Sequence, residues 1–491
     1  MAAQVRGRPG TTGARGTVGT RPEGSGGATS GRAVWLTRRG LLPLAAGSVG
    51  TLGTLGTLGT LGTLATACGP GGSSGGSSTS PGASAATRQA PVSLRFATPQ
   101  SRLDSGVQAV IDAFSARGQP IRVAPEVPTG SLVDKVLTQA AAGDPPDLVH
   151  THPRDYHPWV NAGTLLTLDS YIKKDRENVP DIVPTALDYW SRDGHHWAMP
   201  NNLSVQNVYF NKELFAKQGL KTPDQYEREG QWTVDMYLDL ARQLTTGAGE
   251  NKVFGAVWRS GNLDIQLGFI WPFGGDLWDK NRERTVLDSK EALEAIQFQA
   301  DLTAKYGASP TDEEWQQFAS LRSASWGAAF GLGRCAIEIQ PNDSLAPHVM
   351  PAAFPKAMAP MPRGRAGRIV RGLAVGVHVL KGSRHHDAAW EFANFQAGKE
   401  SETIMLEAHV SLPWHKSRLA KLDQSMPLEP WESAAFYAEG VRQLRVTPYV
   451  TRFSDINRIY SSAYTVVRHG QNTAAQMIGE VQPQINELLR G

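Results

Sequence analysis

Apolar and polar side chains alternate along Val92-Ser-Leu-Arg-Phe-Ala97, which predicts a β-strand. Val107, Val110, Ile111 and Phe114 then fall on one face of a helix, with Asp104 as its cap and Gly118 as its stop. Residues 121–127 predict a second strand. Ser131 followed by Asp134 is a capping pattern, and Leu132, Val133, Val136, Leu137 and Ala140 form the inner stripe of the helix it opens. Gly143-Asp-Pro-Pro146 stops that helix, and residues 147–151 predict a third strand. The order β-α-β-α-β builds a parallel sheet through right-handed crossovers.

The pattern continues in the same mixed style. Residues 197–200, 205–211, 253–258, 335–339, 369–370 and 374–380 read as strands. Thr233 caps a helix that turns Val234, Tyr237, Leu238, Ala241 and Leu244 inward. Further helices are predicted over 289–306, 387–397 and 455–469, and Pro483 is expected to kink or interrupt the last one. No segment repeats with a fixed period. The predicted class is α/β, divided into two lobes.

The first 91 residues do not fit this pattern. Residues 1–33 are Gly, Arg, Thr and Pro with few apolar side chains, a composition that cannot build a core. Arg38-Arg39 precedes 27 uncharged residues, 41–67, in which the triplet Thr-Leu-Gly repeats from Thr51 to Gly62. A paired arginine ahead of a weakly apolar, Gly-rich run resembles a twin-arginine export signal. The run ends in Leu64-Ala65-Thr66-Ala67-Cys68-Gly69, which resembles a lipobox, although Leu sits one place earlier than usual. The resemblance implies that 1–67 is an export signal with an N-terminal extension, and that Cys68 carries a diacylglycerol. A signal anchor, or a low-complexity stretch with a chance Cys, is the alternative, and a start nearer Val34 stays open. Residues 68–91 are a Gly/Ser-rich tether behind that anchor. Cys335, inside the apolar run 328–339, is then a buried thiol without a partner.

Charge and chemistry narrow the function. The chain has 491 residues and a formal charge of +3, but residues 1–67 hold seven Arg and one Glu. Removing them from 49 basic and 46 acidic side chains leaves a net of −3, with no basic excess for nucleic acid. Two cysteines exclude a disulfide framework and a cysteine-built zinc site. There is no H-E-x-x-H, Walker A or dinucleotide-binding glycine pattern. A G-x-S-x-G match at residues 71–75 lies inside the tether, without the flanking strand and helix a nucleophile elbow needs. His195-His196 and His385-His386 are adjacent pairs, whose side chains diverge; they read as surface histidines, so no metal, cofactor or catalytic group is assigned. Tryptophan is abundant at thirteen residues. Trp258, Trp271 and Trp278 lie close to Asn262, Asp264 and Gly274-Gly275. An indole can stack on a sugar ring while amides and carboxylates bond its hydroxyls. Indoles also fill cores, which is the commoner use.

Four stretches carry a family resemblance. These are Trp197-Ala-Met-Pro200 through Val208-Tyr-Phe-Asn-Lys-Glu-Leu214 to Trp232-Thr233; Gly333-Arg-Cys-Ala-Ile337; Leu380-Lys-Gly-Ser383 with Ala388-Ala-Trp-Glu-Phe392; and Ser411-Leu-Pro413. In this order they resemble the extracellular solute-binding proteins of ABC importers, carbohydrate-type, over about residues 92–491. The resemblance implies a two-lobed periplasmic-binding-protein-like fold of type II. Lobe 1 would span 92–206 and about 380–432. Lobe 2 would span 207–372 and about 433–491, with hinges at about 205–210 and 373–379. It also implies a ligand cleft lined by Gln100, His152, Arg154, Asn202, Ser204, Trp258, Asn262, Asp264, Trp271, Asn342, Arg371, Gly372 and Trp414. Gln340-Pro341-Asn342 lacks an aromatic residue common there, and Arg371-Gly372 replaces a common Gly-Gly.

The implied function is that of a binding protein, not an enzyme. It would be a lipid-anchored monomer on the outer face of the cell membrane that captures a sugar or oligosaccharide and passes it to permease subunits. Arg363, Arg365, Arg368 and Arg371 leave open an anionic ligand, a sugar acid or sugar phosphate, against the simpler reading of a solvated hairpin. A lipid-anchored carbohydrate-active enzyme, or a receptor presenting its ligand to a sensor kinase, are the alternatives from other classes.

Overall fold

The computed structural model describes residues 91–175, 178–258, 261–322, 327–345 and 349–490. The expected export signal with Arg38 and Arg39, the lipidation site Cys68 and the tether up to residue 90 lie outside the described residues. Thirteen strands are assigned there. They are β1 Val92–Ala97, β2 Ile121–Glu126, β3 Leu148–Thr151, β4 Ser191–Arg192, β5 His195–His196, β6 Met199–Pro200, β7 Ser204–Asn211, β8 Phe254–Trp258, β9 Cys335–Pro341, β10 Lys356–Ala359, β11 Val370–Leu373, β12 Gly376–Val379 and β13 Leu444–Arg445.

Two sheets organise the body. The first runs β2-β1-β3-β12-β6. Its β1 pairs in parallel with β2 and β3, as the β-α-β-α-β pattern predicts. Ser131 does cap the helix Leu132–Ala141, accepting the Asp134 N–H at 3.3 Å. The helix carrying Val110, Ile111 and Phe114 runs over Gln108–Ala116, and Gly106 at φ 115° breaks the chain just before it. β12 then adds antiparallel to β3, and β6 to β12.

The second sheet runs β13-β11-β7-β9-β8, with β10 also on β7. All eight residues of β7 are buried, four of them polar. Its first two residues pair with β11, and Val208–Asn211 pair with β10. β9 lines its other side. A fully buried strand shows no alternation, yet its bounds agree with the strand read over residues 205–211; the hinge there was implied by the family resemblance. The expected hinge at 205–210 is therefore corrected: that segment is the centre of the second sheet. The chain passes between the sheets just before it, at residues 201–203, and again at residues 374–375. The two passages are bonded to each other, Asn201 N–H to the Val375 carbonyl at 3.0 Å. A third segment joins them where Leu412 N–H reaches the Leu203 carbonyl at 2.7 Å.

Packing at these joints is close. An added Cβ at Gly255 of β8 would lie 1.7 Å from the Ala241 carbonyl, so the helix Val234–Leu244 rests directly on that strand. Thr233 caps that helix as expected, accepting the Met236 N–H at 3.2 Å. The last helix, Ala474–Arg490, runs through Pro483 without interruption. Cys335 is a buried, unpaired thiol, as the sequence implied. Among the described residues no helix is long and apolar enough to cross a membrane.

Candidate functional site

A cavity of about 460 Å³ opens between the ends of the two sheets. From the first sheet's side come Arg102, His152 and Arg154; from the second come Gln206, Asn262, Asp264, Glu338, Gln340, Asp343 and Arg371. The elements explain these positions. His152 and Arg154 follow the C-terminal end of β3, where a parallel strand delivers its loop to a crevice. Asp264 sits in the first turn of the helix Leu263–Phe273, where a carboxylate also suits the helix dipole. That helix ends at Gly274, whose φ of 99° closes it in a left-handed cap.

Arg371 and Asp264 form an ion pair at 2.8 Å, with side chains 6% and 2% exposed. Tyr449 donates its hydroxyl to the same carboxylate oxygen at 3.1 Å. Burial by itself pushes the Asp264 pKa up, but Arg371 and then Arg154 outweigh it and hold the group below its ordinary value. Arg371 is likewise opposed by burial and raised by Asp264. The Tyr449 ring meets His152 edge to face at 5.7 Å, which links the two sides of the cavity. His152 is pushed well below the ordinary histidine pKa by burial, then by Arg154, Arg371 and Arg102, so it is a neutral imidazole at pH 7. Glu338 is raised well above its ordinary value by burial, which favours its protonated form.

Several buried atoms of the cavity wall have no hydrogen-bond partner among the described residues. They are Gln206 Oε1, Glu338 Oε2, Gln340 Nε2, Asp264 Oδ1 and Arg371 Nε. Buried polar groups are ordinarily paired, and leaving one unpaired costs about 1–3 kcal/mol. Such a concentration in one crevice, with both donors and acceptors, fits a polyhydroxylated or charged small molecule.

Of the residues expected in the cleft, His152, Arg154, Asn262, Asp264 and Arg371 line this cavity. The others do not. Gln100 is exposed and donates to Asp104 at 2.8 Å. Asn202 and Ser204 are buried where the chain passes between sheets, Asn202 donating to the Val410 carbonyl at 2.6 Å. Asn342 is buried and accepts the Val205 N–H at 2.9 Å, while its neighbours Pro341 and Asp343 reach the cavity. Gly372 packs too tightly for any side chain: a Cβ would lie 2.3 Å from Leu444 Cδ1.

The three tryptophans are corrected most clearly. Trp258 gives its indole N–H to Gln299 at 2.6 Å, Trp271 to Asp276 at 3.1 Å, and Trp414 to the Ala397 carbonyl at 2.8 Å. Each is a core residue whose one polar atom is satisfied inside the protein. Arg363 and Arg368 share Glu227, Arg368 also meets Glu439, and Arg365 meets Glu294, so this group lies away from the cavity. The sequence reading missed Arg102, Gln206, Glu338, Gln340 and Asp343. Glu338 did carry a signal, a lone acid in the apolar strand β9.

Residues 97–403 match the family model described as bacterial extracellular solute-binding protein. A protein of Brucella abortus that carries a provisional binding-protein name is 24% identical over 78% of this chain and 89% of its own length. Solved structures with the same fold include the ABC substrate-binding protein of Listeria monocytogenes in complex with cycloalternan. Its TM-score is 0.71 at 20% identity, covering 82% of this chain and 99% of that one. The GacH receptor of Streptomyces glaucescens, described unliganded and with acarbose, has a TM-score of 0.67 at 20% identity, with the same coverage. The fold is thus the two-lobed type II periplasmic-binding-protein fold, with the cavity between the lobes.

Two outcomes follow from the site. Arg371→Ala strands a buried carboxylate and is expected to destabilise the protein by about 3–5 kcal/mol, whereas the double replacement Arg371→Met with Asp264→Leu regains most of that loss. Urea unfolding of the three proteins measures it; an equal loss in the single and double variants contradicts the assignment. Glu338 gives a pH signature. Its folded pKa lies above the ordinary 4.5, so above that pH the folded state holds a proton the unfolded chain has lost. Wild-type stability therefore falls relative to Glu338→Gln as pH rises, by up to about 1.4 kcal/mol per pH unit, until the folded pKa is reached. A difference that stays constant from pH 4 to pH 8 contradicts a buried neutral acid.

Proposed function

The chain belongs to the bacterial extracellular solute-binding proteins, and from that membership we propose that it captures a carbohydrate between its lobes and delivers it to an ABC importer. The observation that carries this reading is the polar cavity lined from both lobes, with unpaired donors and acceptors suited to hydroxyl groups. The saccharide complexes of the Listeria and Streptomyces proteins support it. Lobe 1 comprises the first sheet and its helices, lobe 2 the second, and the passages at residues 201–203 and 374–375 act as the hinge. A ligand that touches both lobes binds the closed arrangement better and shifts the population toward it. His152 and Arg154 grip from one side, and Asn262, Gln340 and the Asp264–Arg371 pair from the other.

In this proposal the protein works as a monomer tethered to the outer face of the cell membrane. Arg38 and Arg39 direct export, Cys68 receives the lipid, and residues 69–91 give the body its reach. Two acyl chains hold a protein at a bilayer where one binds marginally.

Some members of a saccharide panel are expected to raise the melting temperature of the purified protein, with a stabilisation of about 2.7 kcal/mol at a hundredfold excess over Kd. Chromogenic glycosides stay intact. Turnover of such a glycoside, or silence across the whole panel, contradicts the reading. Cys68→Ser is expected to leave the protein unprocessed or to release it from membranes. A fully processed, membrane-bound variant contradicts lipidation at that residue.

A further inference from the structure

The chemistry of the cavity wall says more about the ligand than membership in the family does. Among the described residues no Trp, Tyr or Phe lines it. A neutral sugar would find no aromatic plate on which to stack its C–H face. What the wall offers is three guanidiniums, at Arg102, Arg154 and Arg371, against the carboxyl groups of Asp264 and Asp343. Burial shifts Glu338 and His152, which also face the cavity, toward their uncharged forms.

The pairings of these groups are unequal. Arg371 and Tyr449 take up one oxygen of Asp264. Arg154 has Asp155 behind it, Nε to Oδ1 at 3.5 Å, a long contact. Asp343 accepts the Ser344 hydroxyl at 3.2 Å. Arg102 is half-buried; its backbone N–H donates to the Pro99 carbonyl at 3.0 Å and its carbonyl accepts the Ser105 hydroxyl at 3.0 Å, while its guanidinium makes no hydrogen bond or ion pair among the described residues. Burial lowers its pKa most; Asp343 opposes that from beyond contact distance, and Arg154 adds to it. Arg102 and Arg154 are thus like charges that the fold holds within each other's field. Arg371 adds a buried Nε–H with nothing to donate to. A guanidinium presents donors in a rigid fork that matches carboxylate and phosphate geometry, and its bonds to an anion are about twice as strong as neutral ones.

We propose that the ligand is an acidic carbohydrate, a saccharide whose carboxylate or phosphate group seats on Arg102 and Arg154, while its hydroxyls meet Gln206, Gln340 and Glu338. This rests on the carbohydrate reading of the same cavity and narrows it. The charge would be bound by lobe 1 and the hydroxyls by lobe 2, so a saccharide needs both features to bridge the lobes.

The test is calorimetric titration of the purified protein with matched pairs, at low and at high salt. Glucose is set against glucuronate, galactose against galacturonate, and glucose against its phosphate ester, with inorganic phosphate and acetate as sugar-free anions. An acidic member of a pair is expected to bind about tenfold or more tighter than its neutral partner at low salt, with the margin shrinking at high salt. The two acidic arms distinguish carboxylate from phosphate. Arg102→Gln, and independently Arg154→Gln, are expected to erase most of that margin while each variant keeps a cooperative melting transition without ligand. Neutral saccharides binding as tightly as acidic ones, indifferent to salt and to Arg102→Gln, would overturn this inference and leave the carbohydrate reading standing. Binding of phosphate or acetate alone, or of no compound in the set, would overturn both.

Discussion

The ion pair between Arg371 and Asp264 governs this site. Two charges almost wholly out of water are tolerable only when each answers the other. Meeting that condition ties three parts of the chain together: the short strand β11, the first turn of the helix Leu263–Phe273, and the Tyr449 segment whose hydroxyl completes the shell of the carboxylate. It also decides the electrostatics of the cavity. With Asp264 engaged, the guanidiniums opposite are left to act on whatever enters, and burial, reinforced by those guanidiniums, holds His152 neutral. Structure and recognition therefore rest on one contact.

A second constraint concerns how the lobes communicate. The passages at residues 201–203 and 374–375 are bonded to each other, and Asn201 is held further by His150 at 3.1 Å and by Gln396 at 2.8 Å. Burial pushes His150 down to about 3, so this network is uncharged at any physiological pH. In the proposed hinge role, such short, neutral, mutually bonded segments would bend without exposing a charge. The central strand β7 of the second sheet is buried over its whole length.

Much of the fold was legible because its causes are local. Alternation marked β1, the one-sided stripe marked the helix over Gln108–Ala116, and Ser131 and Thr233 announced helix starts that the structure keeps. What failed to show in the sequence has non-local causes. β7 was read as a strand and the resemblance alone set a hinge on it; burial on both faces, which removes alternation, shows only in the sheet that encloses Gln206 and Asn207. The tryptophans looked like a sugar platform because composition cannot say whether an indole faces a cavity or a core. Gln299, Asp276 and the Ala397 carbonyl, which settle the matter, lie 41, 5 and 17 residues away from the indoles they bind. Arg154, Asp264 and Arg371 were picked out as charges in cleft loops, and the cavity does gather them. Arg102 and Glu338 were not picked out, although Glu338 stands as a lone acid in the apolar strand β9.

The central claim is that one small molecule is held by both lobes at this cavity. A crystal structure of the protein with a saccharide that raises its melting temperature tests that claim most directly. The account predicts ligand density between Arg102, His152 and Arg154 on one side and Gln340 with the Asp264–Arg371 pair on the other. Density confined to one lobe, or seated elsewhere on the surface with this cavity still filled only by water, would contradict it.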